Sequence, residues 1–303
     1  MKLNFEVKGV CVIAVTPFTS TGDIDYESID SMTDYYIDAG VDAITLLGMM
    51  GEAPKLTMAE AISVVERVCN RVKGKVPIVV GVSSPGIASL VELANKVMKI
   101  GAGAVMVAPP SSLKTDSQIF DYYALVSKSL GKIPFVLQDF PLATGVQISA
   151  SLLARIINEL DNCIMVKHED WPGLEKISYL RAHCKEVSIL CGNGGLFLPE
   201  ELGRGADGAM TGFAYPEMMV EVCKALREGE RDRAHDLFDA YLPLARYEQQ
   251  PGLGLAIRKW IMFSRGIIAS PALRAPGTIL SSEAKYEISY LIDRQNNKLK
   301  GIQ

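Results

Sequence analysis

CIMVKH, residues 163–168, is a run of four apolar residues that ends on a lysine and a histidine. It reads as a buried strand, and strand alternation puts Cys163, Met165 and Lys167 on one face. Seven other short apolar runs end on a polar or glycine-rich edge, at 10–16, 43–48, 77–82, 104–108, 134–138, 187–192 and 208–212. With 163–167 they make eight, spaced roughly 20–35 residues apart, the length of a strand–helix unit. The stretches between them, such as 26–39, 57–71 and 149–160, read as amphipathic helices. Eight such units with continuous apolar strands predict an α/β fold, a closed parallel (β/α)8 or TIM barrel. Chemistry in such barrels sits at the carboxyl ends of the strands, where Lys167 lies.

Composition agrees. The 303 residues exceed the usual barrel by one helical appendage, and 49% of them are hydrophobic, enough for a large core. A net charge of −4 gives no reason to expect nucleic acid or an anionic membrane as partner. No apolar stretch reaches the roughly 20 residues of a membrane span. The N-terminus, MKLNFEVKG, lacks the apolar segment of a secretory signal. None of the six cysteines is spaced as CxxC, so they read as reduced core residues of a cytoplasmic protein. The three histidines are too scattered to suggest a metal site. After Gly212 the pattern changes to consecutive helices at 218–228, 230–247, 253–263 and 283–297. We expect residues 1–220 to form the barrel. Residues 221–303 should carry the last barrel helix and a C-terminal helical bundle in the same structural unit. The stretch 269–277, ASPALRAPG, reads as an irregular connection.

Four features carry chemistry. Lys167 has two readings, a lysine that leaves the strand for solvent, or a Schiff-base lysine. At a barrel mouth, desolvation disfavours the charged form of an amine and frees its lone pair to attack a carbonyl. The loop GMMGE, 48–52, is either a plain turn or a place where backbone N–H groups hold a carboxylate. Glu52 either starts the next helix or pairs with a buried polar group. In QDFPLATG, 138–145, Gln138 should face the mouth and Asp139 should cap the loop. CGNGG, 191–195, and TGFAYP, 211–216, follow the seventh and eighth runs, where many barrels bind phosphate. Neither has a nearby lysine or arginine before Arg204, and a neutral hydroxylated ligand fits equally well.

Together with VTPF (15–18), GDID (22–25), LTMAE (56–60), GVSS (81–84), GAGAVMVAPP (101–110), VKHE (166–169) and GAMTG (208–212), these motifs resemble one family. It is the dihydrodipicolinate synthase/N-acetylneuraminate lyase family of class I aldolase-like lyases, and the likeness covers nearly the whole chain. The resemblance implies that Lys167 forms the imine, that the protein is a homotetramer built as a dimer of dimers, and that it uses no metal or organic cofactor. It implies substrate contacts at Met49, Met50, Gly51, Ser111, Ala143, Gly192, Asn193 and Met210.

The departures bear on function. The family's loop usually reads GTTGE, and its two hydroxyls are replaced here by Met49 and Met50. Its proton-carrying tyrosine is replaced by Gln138, a second tyrosine by residues around Ser111, and the synthases' substrate-binding arginine by Ala143. QD-x-P, YLPL (241–244), Glu248, Gln250 and GIIAS (266–270) look like the 2-keto-3-deoxy sugar acid (2-keto-3-deoxyarabonate) dehydratase branch.

The expected function is a Schiff-base lyase acting on pyruvate or a 2-keto-3-deoxy acid, by dehydration or retro-aldol cleavage. Lys167 would be catalytic. A water held by Gln138 and Ser111, the substrate's carboxylate, or Glu169, which shares the parity of Lys167, would move protons. A dihydrodipicolinate synthase is the first alternative. It would need Arg246, Arg258 or a neighbouring subunit to replace the missing clamp. A non-catalytic keto-acid-binding barrel is the second.

Overall fold

The computed structural model describes residues 7–184 and 187–302. Eight parallel strands are β1 (Gly9–Ile13), β2 (Ala43–Leu46), β3 (Ile78–Gly81), β4 (Ala104–Val107), β5 (Phe135–Asp139), β6 (Cys163–His168), β7 (Ser188–Cys191) and β8 (Gly208–Ala209). They pair in sequence order, and β8 closes on β1 through Gly9–Gly208 and Val10–Ala209, so the sheet is the expected barrel. Between them lie α1 (Tyr26–Asp38), α2 (Met58–Val72), α3 (Ile87–Ile100), α4 (Asp116–Leu130), the one-turn α5 (Pro141–Thr144), α6 (Ala150–Glu159), α7 (Gly173–His183) and α8 (Leu198–Gly203). Local chemistry sets their starts. Thr57 and Glu60 form a reciprocal capping box on α2, and Thr115 and Gln118 do the same on α4.

Two apolar layers result from strand alternation. Small, branched and methionine side chains fill the barrel, among them Cys11, Ile13, Val79, Met106, Val136, Met165 and Met210. Their neighbours in sequence, such as Val10, Val12, Val80 and Val166, pack outward against the helices. The alternation breaks once. Phe135 pairs with Cys163, but the next β5 residue, Val136, pairs with Met165. This bulge turns both Ile164 and Met165 into the barrel and leaves Cys163 in the outer layer. Cys163 therefore does not share a face with Met165 and Lys167, as simple alternation predicts. Beyond the bulge, Gln138 pairs with Lys167 and Asp139 with His168.

The last barrel helix, α9, runs from Pro216 to Arg227, so a division after residue 220 falls inside it. Proline suits the first helical turn, which lacks an intrahelical acceptor for its N–H. The bundle comprises α10 (Arg231–Glu248), α11 (Gly254–Ser264) and α12 (Ser282–Leu299), and 269–277 holds neither helix nor strand. Among the described residues no helix is long and apolar enough to cross a membrane. None of the six cysteines forms a disulfide; five are buried and Cys69 is half-buried.

Candidate active site

The ends of β5 and β6 place three polar side chains together inside the barrel mouth. Lys167 Nζ lies 2.8 Å from Glu169 Oε2. Gln138 Nε2 donates to the same oxygen at 2.7 Å. All three residues are buried. Glu169 reaches this position because residue 192 is glycine, where a Cβ would lie 2.0 Å from Glu169 Cγ. A Cβ at residue 194 would likewise lie 2.0 Å from Gln249 Nε2. The glycines of CGNGG thus make room for an acid and an amide. In the barrel interior, burial pushes the Cys11 thiol up to about 12, which keeps it protonated and unreactive.

These groups border a cavity of about 70 Å³, lined also by Ile13, Met49, Met50, Phe140, Asn193, Gly194, Thr211, Gly212, Gln249 and Arg258. Of the residues expected from sequence, Lys167, Gln138, Glu169, Met49, Met50 and Asn193 lie on it. Gly51 is tucked behind the loop, its carbonyl accepting from Thr16 Oγ1 at 2.6 Å. Gly192 stands beside Glu169, and Met210 is buried in the barrel core. Ser111 and Ala143 are exposed and do not border the cavity. Thr211, Gly212 and Phe140 fall in loops the sequence marks, but Gln249 and the cavity position of Arg258 carry no local signal.

Two neighbouring residues of α11 reach two different loops. Arg258 donates from Nε to Glu248 Oε1 at 2.6 Å and from Nη2 to the Gly212 carbonyl. Glu248 Oε2 accepts from the Ala214 N–H at 3.1 Å. Burial raises the Glu248 carboxyl above its ordinary range, against the pull of Arg258. Lys259 donates to Glu52 Oε1 at 2.7 Å and to the Ala272 carbonyl at 2.9 Å, and its ammonium lies 4.5 Å from the Phe18 ring centre. Burial lowers Lys259 to about 8, against the pull of Glu52. Glu52 also accepts from Lys55 at 2.8 Å and from the Arg274 N–H at 3.1 Å. Its side chain therefore pairs with buried groups, while its backbone precedes a one-turn 3-10 helix at Ala53–Lys55.

Asp139 does not cap its loop. It points outward, where Lys176 Nζ lies 2.6 Å from its Oδ2. Lys176 also contacts Asp170 Oδ2 at 3.0 Å and the Ile148 carbonyl at 2.5 Å. His168 Nδ1 lies 3.4 Å from the same Asp139 oxygen. The strand ends thus send one charged set inward and another outward.

A lysine at a strand end, a carboxylate on its ammonium and an amide that orients the carboxylate suit imine chemistry on a small carbonyl compound. Comparison with known proteins gives the family. The Dihydrodipicolinate synthetase family matches residues 6–295. The chain is 31% identical over 289 residues to an L-2-keto-3-deoxyarabonate dehydratase of Azospirillum brasilense, covering 93% of this chain and 92% of that protein. It is 27% identical over 304 residues to a 4-hydroxy-tetrahydrodipicolinate synthase of Aquifex aeolicus, covering 97% and 99%. A crystal structure of a dihydrodipicolinate synthase from Rhodopseudomonas palustris superposes with a TM-score of 0.94 at 48% identity, covering 97% of this chain and 99% of that one. The chain belongs to the dihydrodipicolinate synthetase family, a family of lyases.

Proposed function

We propose that this protein is a Schiff-base lyase that dehydrates or cleaves 2-keto-3-deoxy acids, with Lys167 as the covalent residue and Glu169 as the proton carrier. The observation that carries this is the single carboxylate oxygen shared by Lys167 Nζ and Gln138 Nε2. Glu169 takes a proton from the ammonium, and the freed amine attacks the keto carbon. The same proton then goes to the carbinolamine hydroxyl, which leaves as water and gives the protonated imine. That imine draws electrons from C3, so Glu169 removes a C3 proton to form the enamine. For dehydration the proton returns to the C4 hydroxyl, which departs as water while the enamine electrons form the C3–C4 double bond. For cleavage the carboxylate instead takes the C4 hydroxyl proton, and the C3–C4 bond breaks to aldehyde and enamine. Gln138 does not titrate and only orients Glu169. Backbone N–H groups of the loop 48–52 hold the substrate's C1 carboxylate.

The A. brasilense relative's name supports the sugar-acid reading. Names of other relatives favour the synthase reading. Its test is turnover of pyruvate plus aspartate semialdehyde coupled to the reductase, beside an authentic synthase. We expect little or none, since Ala143 offers no cation and Ser111 lies off the cavity. The lyase reading is tested by incubating the protein with pyruvate and borohydride and reading intact mass. A stable adduct on Lys167, absent in Lys167→Ala with its fold intact, supports it. An adduct on another lysine, or none, overturns it and leaves a keto-acid-binding barrel. We further propose a cytoplasmic homotetramer. Leu142, Tyr286 and Ile279, exposed at 73%, 75% and 89%, support contacts between copies, and light scattering measures the mass.

A further inference from the structure

Arg258 is 1% exposed, and two of its three guanidinium nitrogens are used, Nε by Glu248 and Nη2 by the Gly212 carbonyl. Nη1 is buried and has no hydrogen-bond partner. Among the described residues it is the one buried lysine or arginine nitrogen without an acceptor. It sits over Gly212, where a Cβ would lie 1.9 Å from Nη1 and 3.0 Å from the Ile13 carbonyl. The Ile13 side chain in turn abuts Gly48, 3.2 Å from the position of a Cβ there. The guanidinium therefore lies between the ends of β8 and β1, on the flank leading to the Met49–Gly51 loop. It lines the same cavity as Lys167.

We propose that Arg258 Nη1 binds the substrate's C1 carboxylate, the one next to the carbon that Lys167 attacks. The inference rests on the Schiff-base reading and adds a charged donor to the backbone N–H groups of the loop. Met49 and Met50 supply no hydroxyl, so a side-chain donor to the carboxylate has to come from another element. The cavity is charge-balanced without ligand, with Lys167 against Glu169 and Arg258 against Glu248. A carboxylate entering it meets one unused charged N–H. Glu248 and the Gly212 carbonyl fix the guanidinium beforehand, so little ordering is left for binding. In about 70 Å³, a carboxylate bonded to the imine carbon stays close to the walls that hold Arg258. Glu248 is a positioning residue.

The test is a pyruvate titration of the full chain, read as the half-saturating concentration for the borohydride-trapped adduct by intact mass. Glu248→Gln combined with Arg258→Gln leaves no lone buried charge. Losing one charge-assisted bond should raise half-saturation about tenfold or more, with trapping still complete at saturating pyruvate. Gly212→Ala is the second variant, since its methyl group takes the place of Nη1 while keeping every charge. It should shift half-saturation the same way, with thermal melting confirming that it folds. Half-saturation within twofold of the parent in a folded variant overturns the proposal. So does a shift seen only with longer 2-keto-3-deoxy acids, which would put Arg258 at the substrate's far end. Calorimetry of pyruvate binding to Lys167→Ala separates this inference from the reading it rests on. Binding there that weakens about tenfold when Arg258 is also replaced supports the arginine even if no imine forms. Unchanged binding overturns it.

Discussion

Among the described residues two buried lysine–glutamate pairs, Lys167–Glu169 and Lys259–Glu52, differ in how fully the ammonium is used. At the barrel mouth Lys167 has Glu169 as its ion-pair partner and faces a cavity. At the junction between the β2 loop and the bundle, Lys259 is held by Glu52, the Ala272 carbonyl and the face of Phe18, and is 0% exposed. Both pairs look alike as contacts. The first faces a cavity and the second is enclosed by its partners, so only the first can meet a ligand, while the second holds two segments together. Unused hydrogen-bonding capacity beside a cavity, more than the presence of a buried charge, marks the site.

The contrast breaks most visibly at Glu169. Glu169→Gln should form the Lys167 adduct with pyruvate more slowly yet still reach it at long incubation, and should lower the turnover of a 2-keto-3-deoxy acid by about 10²–10⁴, the usual worth of a general acid–base group. Steady-state turnover beside borohydride trapping measures the split. Equal losses in both would make Glu169 a mere support for the lysine.

Lys259→Met should do the reverse. It leaves Glu52 Oε1 without a partner, while Lys55 and the Arg274 N–H stay on Oε2, and should cost about 1–3 kcal/mol in urea unfolding. The protein that stays folded should still trap pyruvate. Adding Glu52→Gln should restore part of the loss, because the buried carboxylate that lost one of its two cationic partners is gone.

A third buried acid sharpens the comparison through pH. Glu201 on α8 has an oxygen, Oε2, with no partner. Burial pushes its carboxyl from 4.5 up to about 7, opposed by Cys191 and His168. The folded state therefore binds the proton more tightly than the unfolded chain does. The stability this brings is complete below pH 4.5 and is lost as pH rises to about 7. Glu201→Gln should remove that slope. Relative to the parent, the variant should gain about 3 kcal/mol between pH 4.5 and pH 8, read from melting at several pH values.

The smallest effect is expected at the loop itself. Met50→Thr adds one hydroxyl beside the cavity and should change pyruvate half-saturation by about 0.5–1.5 kcal/mol, one neutral hydrogen bond.

Much of this arrangement was legible in the chain, for identifiable reasons. Apolar runs and amphipathic spacing are local properties, and all eight runs fall on strands of the barrel. Lys167 was legible because a charged residue that ends a buried strand is rare and its place in a barrel is fixed by topology. The bulge at Ile164 was not, since period-two reading assumes an unbroken ladder and CIMV is apolar whichever way it turns. Asp139 read as a loop cap because its partner, Lys176, arrives from another element. The Glu52–Lys259 pair spans 207 residues and the Arg258–Gly212 contact spans 46. Contacts at such separations are written in the packing of the bundle and leave no pattern near either residue.

Arg258 and Lys259 also set an order of events during synthesis. The last strand of the barrel is complete at Ala209, yet the side chain that closes the cavity wall and the one that latches the β2 loop are made about a sixth of the chain later. A nascent chain that has finished its barrel still lacks both. The emerging polypeptide therefore cannot present a finished pocket until α11 has left the ribosome and docked.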